Sequence, residues 1–140
     1  MQRVPVSLLT LKEINGYSDE SQARKDAMHK HGAKFLKGFA QALGLTPDQF
    51  SVRSNKAGIA VSGEVTLHAD HLYVQLCESF GSRGLQLLYR TCTSQKDFTG
   101  GQNRYVTMAE LDDPEKHYQF FKTCQKLIAS MQLAQSKAAA

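Results

Sequence analysis

The stretch Val61-Ser62-Gly63-Glu64-Val65-Thr66-Leu67-His68-Ala69-Asp70-His71-Leu72-Tyr73-Val74-Gln75-Leu76-Cys77 alternates apolar and polar residues on either side of a short polar interruption. A period of two belongs to strands with one buried face, so Val65 and Leu67 point one way and Glu64, Thr66 and His68 the other. Beyond the interruption, Leu72, Val74 and Leu76 alternate with Tyr73, Gln75 and Cys77 in the same manner. Two such runs around a turn at Ala69-Asp70 predict an antiparallel hairpin. That turn pairs His68 with His71, Thr66 with Tyr73, Glu64 with Gln75 and Ser62 with Cys77, gathering hydrogen-bonding groups on one sheet face.

Further strands follow on both sides of the hairpin. Phe50-Ser51-Val52-Arg53 predicts one before it, closed by the turn residues Asn55-Lys56-Ala57-Gly58, and Leu85 to Cys92 predicts another after Gly81–Gly84. Tyr105-Val106 adds a short edge strand. Residues 18–44 predict a long helix with Ser18 as N-cap and Gly44 as its stop. Met28, Phe35, Leu36, Phe39 and Leu43 fall on one face of it, opposite Lys30, Lys34, Lys37 and Gln41. Gly32 and Gly38 inside it point to close packing or a kink. Thr107-Met108-Ala109-Glu110 has capping-box spacing, and Asp113-Pro114 opens a second helix whose apolar face is Tyr118, Phe121, Cys124, Ile128 and Met131. The expected fold is α+β: an antiparallel β-meander of about four strands, packed on an N-terminal and a C-terminal helix in two layers. Residues 1–17 form an N-terminal segment, 18–134 the single domain and 135–140 a disordered tail.

Composition agrees with one ordinary domain. The chain has 140 residues, 41% of them hydrophobic and 21% charged, which suffices for one core without metal or disulfide staples. The formal charge of +4 is concentrated in residues 22–44, where five basic residues stand against Asp26. Three cysteines, Cys77, Cys92 and Cys124, make neither a CxxC pair nor an even framework, so a reducing compartment is expected. Met1 to Leu11 has too short an apolar run for a signal h-region, and no window spans a membrane. A cytoplasmic protein without membrane partners is the expectation.

The chemistry-bearing clusters are few. His68-Ala69-Asp70-His71, with His29 and His31, offers imidazole and carboxylate ligands, but His29 and His31 diverge by about 200° on a helix. No metal site or cofactor is therefore expected, and the histidines read as exposed. The sequence lacks a GxSxG elbow, a Walker loop and a GxGxxG motif, and its cysteines lie in apolar or strand contexts. No catalytic residue is assigned, although a small enzyme with a site near Tyr73, Tyr89 and Arg90 is one reading. The loop Lys96-Asp97-Phe98-Thr99-Gly100-Gly101-Gln102-Asn103-Arg104 differs in kind. Its paired glycines permit positive φ or close backbone approach, and Lys96, Arg104 and side-chain amides surround them.

The runs Val61 to Leu76, Leu88-Tyr89-Arg90-Thr91-Cys92 and Lys96 to Asn103 resemble small uncharacterised proteins of proteobacterial plasmids and other mobile elements. The resemblance covers about residues 58–113 and leaves the first helix outside. It implies an accessory factor acting in DNA maintenance or host defence, and it carries no catalytic role. The leading expectation is a non-enzymatic interaction protein that meets a protein partner through the 96–104 loop and the polar sheet face, with Lys96, Asp97, Gly100, Gly101, Gln102, Asn103, Arg104, Tyr73 and Arg90 as contact residues. The alternative is nucleic-acid binding through Lys30, Lys34, Lys37 and Arg104.

Overall fold

Strands with one apolar face and helices with one apolar stripe can bury both only by stacking in layers. The computed structural model describes residues 22–56, 63–78 and 84–139. Helix α1 (Gln22–Ala42) leads through a 3-10 turn (Pro47–Gln49) into strands β1 (Phe50–Asn55), β2 (Glu64–Ala69), β3 (Leu72–Glu78), β4 (Leu85–Thr91) and β5 (Arg104–Thr107). A single helical turn α2 (Met108–Leu111) and the long helix α3 (Pro114–Ala139) follow. The strands form one sheet in the order β1-β2-β3-β4-β5, every pair antiparallel. The fold is the expected α+β meander, with five strands instead of about four. The short edge strand expected at Tyr105-Val106 is a full member of the sheet, Arg104–Thr107, which pairs along its whole length with β4.

Burial separates the two faces of the sheet. Val65, Leu67, Leu72, Val74, Leu76, Leu85 and Leu87 join one core with Phe35, Leu36 and Phe39 of α1 and Phe120, Phe121 and Ile128 of α3. Both helices therefore cover the same face, α1 over β1 and β2, α3 over β3 and β4. Phe39 links them, its ring centroid 5.3 Å from that of Phe120 and 6.1 Å from that of Phe121. His29 Nδ1 lies 2.5 Å from Ser54 Oγ, tying α1 to the edge strand β1.

Several local expectations hold. Gly44 adopts φ 84° beyond α1, with Leu45 N–H donating to the Ala40 carbonyl and Gly44 N–H to the Gln41 carbonyl, a left-handed C-terminal cap. Thr107 and Glu110 close the capping box of α2 reciprocally. The Ser18 cap lies outside the described residues.

Three expectations change. The hairpin turn is Asp70-His71, not Ala69-Asp70, so His68 pairs with Tyr73, Thr66 with Gln75 and Glu64 with Cys77. Ala69 is buried and pairs with Phe50, so it belongs to the strand, while two polar residues take the tip. Because the turn moves by one residue on both strands, each side chain keeps its face. Ser62, expected opposite Cys77, lies outside the described residues. On α3, Tyr118 is exposed, and His117, Phe120, Phe121, Cys124 and Ile128 face inward. That helix also runs on through residues 135–139, where a disordered tail was expected, and Gln135 Nε2 donates to the Thr93 carbonyl at 2.9 Å.

The two helix glycines have opposite roles. A Cβ on Gly32 would stand 2.5 Å from Leu76 Cδ2 and 3.3 Å from Val65 Cγ2, whereas one on Gly38 would meet nothing within 4 Å. Gly32 is thus a point of close approach between α1 and the sheet. Urea unfolding of Gly32→Ala should give a loss of about 1–3 kcal/mol from overpacking. Gly38→Ala should gain up to about 1 kcal/mol from helix propensity. A Gly32→Ala variant as stable as the unaltered protein would contradict this packing.

Candidate functional site

With both helices on one side, the other face of the sheet carries the polar set in three rows across the strands. One row is Ser51, His68, Tyr73 and Arg90; the next is Arg53, Thr66, Gln75, Leu88 and Tyr105; the third is Asn55, Glu64, Cys77, Gln86 and Thr107. Tyr73 and Arg90, singled out from sequence, are direct cross-strand neighbours. The Arg90 guanidinium stacks 4.3 Å from the centroid of the Tyr73 ring, and the Tyr73 hydroxyl donates to Gln75 Oε1 at 3.0 Å.

The 93–103 segment folds back over one end of this face. Arg90 Nη2 donates to the Phe98 carbonyl at 2.8 Å and Nη1 to Asn103 Oδ1 at 3.1 Å. Within the loop, Asp97 accepts from the backbone N–H and hydroxyl of both Thr93 and Thr99, at 3.0 to 3.2 Å. Gln95 Nε2 reaches the Asp48 carbonyl and Asp70 Oδ1, each at 3.0 Å. The loop is thereby fastened to β4, to the hairpin tip, to the 3-10 turn and, through Thr93, to α3.

The paired glycines serve this close docking and not a left-handed turn, since neither has positive φ. Gly101 N–H donates to the Thr91 carbonyl at 2.8 Å. A side chain on Gly100 would run into that carbonyl, and one on Gly101 into the Thr91 hydroxyl.

His68 was expected to be an exposed turn histidine, but it is only 4% exposed. Phe98 covers it edge to face at 4.8 Å, and its Nε2 donates to the Ser94 carbonyl at 3.0 Å. Burial lowers its pKa, an effect partly offset by that hydrogen bond. His29 is buried on the opposite, helix side of the sheet, so the two imidazoles share no site. Among the described residues no group of His, Cys, Asp and Glu is placed to hold a metal ion.

The proposed enzyme site separates as well. Tyr89 points to the helix side, its ring 5.0 Å from Phe120, while Tyr73 and Arg90 face outward. The thiols are poor nucleophiles: burial raises the pKa of Cys77 and Cys124 and pushes Cys92 up to about 11.

The remaining candidates fall on three different parts of the molecule. Lys96 and Gln102 are exposed in the loop. Arg104 is exposed on the far edge strand β5, opposite Tyr89 and therefore toward the helix side. Lys30, Lys34 and Lys37 are exposed on α1, which lies over β1 and β2. Arg104 is thus at the other end of the sheet from the lysine stripe, three to four strands away, or about 14–19 Å at ordinary strand spacing. Sequence reasoning missed Phe98, which is 57% exposed, and the outward Leu88 and Tyr105, the latter 56% exposed. An apolar Phe98 in an otherwise polar loop was the signal available for the first.

No protein-family model matches this chain, and neither the curated proteins nor the solved structures provide a match to it.

The Asp97 staple has a measurable signature. Hydrogen bonds, first that from the Thr93 backbone, lower its carboxyl from 3.8 to about 2. Because the folded value is depressed, its support of the loop is complete above the ordinary carboxylate range and is lost as the pH falls through about 2. A carbon-detected NMR titration should place the Asp97 midpoint near 2. A midpoint near 3.8 would mean that the staple is not formed.

Proposed function

We propose that this protein is a non-enzymatic accessory protein of a reducing, cytoplasmic compartment that docks a protein partner on the outer face of its sheet. The 96–104 loop forms the rim of that surface. The observation that carries this reading is the placement of Phe98 and Tyr105. Among the described residues four large apolar side chains are exposed, Phe98, Tyr105, Tyr118 and Leu133, and the first two belong to this face and its loop. Between them lie Leu88 and the Arg90–Tyr73 stack. Aromatic residues and arginine held rigid by a scaffold are the side chains that dominate binding energy at protein interfaces. Pre-ordering by the sheet and the stapled loop lowers the entropy lost on association. A mobile-element setting, as the resemblance implies, suits such an accessory role.

Nucleic-acid binding by the α1 stripe is the second reading. It rests on three exposed lysines, Lys30, Lys34 and Lys37, spaced along one side of the helix. The two surfaces lie on opposite sides of the molecule, so substitutions separate them. Affinity capture from bacterial lysate with and without nuclease should yield a nuclease-resistant partner. The doubly substituted Phe98→Ser/Tyr105→Ser protein should lose it, and the triple Lys30→Ala/Lys34→Ala/Lys37→Ala protein should keep it. Nuclease-sensitive capture that disappears with the lysines would favour the nucleic-acid reading instead.

A further inference from the structure

Charge on and around the outer face is unevenly satisfied. Arg53 is exposed on the edge strand β1, Lys96 is exposed two residues before Phe98, and Arg90 lies beneath the Phe98 carbonyl. Among the described residues none of these three cations makes an ion pair. Arg53 stands on the same outer face as His68, diagonal to it across the β1–β2 pair, and His68 is the residue that the Phe98 ring covers. The carboxylates of the same region are engaged otherwise. Asp97 is occupied by Thr93 and Thr99, and Glu64 Oε1 accepts from Asn55 Nδ2 at 3.2 Å. An incoming carboxylate would meet Arg53 and Lys96 without displacing an existing partner.

We infer that the partner of this face is an acidic protein segment with interleaved aromatic or aliphatic side chains. Its carboxylates meet Arg53 and Lys96, and its apolar side chains pack on Phe98 and Tyr105. This inference rests on the docking surface proposed above and adds the chemistry of the occupant. A single-stranded nucleic acid suits the face less well. Base stacking needs free ring faces beside a continuous basic track. Phe98 and Tyr105 do leave ring surface open, but among the described residues the exposed cations of this face are Arg53 and Lys96, two and not a track. The α1 lysines could attract acidic chains by charge alone, but their stripe contains no apolar anchor.

Fluorescence anisotropy with the full chain distinguishes these cases. The probes are a labelled random glutamate–tyrosine copolymer, labelled polyglutamate of equal length and labelled oligo-dT. The copolymer should bind most tightly, and more weakly as salt rises. Arg53→Glu and Lys96→Glu should each weaken it roughly tenfold, the loss typical of an interface hot spot. Phe98→Ser should reduce copolymer binding to the polyglutamate level, and Lys34→Glu should leave it within about threefold, as befits a residue outside the interface. Circular dichroism on each variant establishes that it is folded. The inference is overturned if the copolymer fails to bind, if polyglutamate or oligo-dT binds as tightly, or if Lys34→Glu weakens binding as much as Arg53→Glu. If the copolymer fails but Phe98→Ser/Tyr105→Ser still loses the captured partner, the interface survives and only its acidic occupant is removed. If that variant keeps the partner, both fall.

Discussion

The Arg90 guanidinium is the point on which the outer surface depends. It stacks on Tyr73, holds the Phe98 carbonyl and the Asn103 side chain, and leaves its own Nε buried without a partner. The guanidinium is only half-buried, and the loss of water at its Nε is tolerated where surrounding groups compensate it. Here a ring face and two oxygen acceptors on the returning loop do so. The loop's path is therefore set from β4, and the close approach of Gly100 and Gly101 to Thr91 follows from it. Phe98 is carried along and becomes the roof of His68.

The same arrangement explains why the molecule presents two unlike surfaces. All the apolar strand positions of the central hairpin face α1 and α3, and Gly32 lets α1 approach closely enough to exclude water. No covering layer lies over the opposite face among the described residues, apart from the loop itself. The lysine stripe of α1 looks outward from the helix layer, the aromatic and arginine side chains from the sheet layer. The two surfaces face opposite ways, so geometry as well as charge distinguishes them.

The sequence made the layering legible because strand and helix periods are local properties. Alternation around Val65 and Leu67 and the stripe through Phe35 and Phe39 were enough to set both faces. The turn was misjudged by one residue because Ala69 carries no strong preference, and only its burial opposite Phe50 assigns it to β2. The phase of α3 was ambiguous for a related reason. Tyr118, Phe120 and Phe121 are all aromatic, and the helix rotates so that the two phenylalanines reach Phe39. The loop was recognised by its glycines and polar residues, yet its staples join residues such as Gln95 and Asp48, or His68 and Ser94, that are far apart in the chain. Nothing in a local pattern reveals such pairs, so the burial of His68 was unreadable.

Hydrogen–deuterium exchange of residues 93–103 in the unaltered protein and in Arg90→Lys tests the central claim most directly. Lysine keeps the charge but loses the planar fork that grips two acceptors while lying on a ring. The Gly101 amide should be protected in the unaltered protein and exchange much faster in the variant, with β2 and β3 protected equally in both. Rapid exchange of Gly101 in the unaltered protein, or equal protection in Arg90→Lys, would contradict the account.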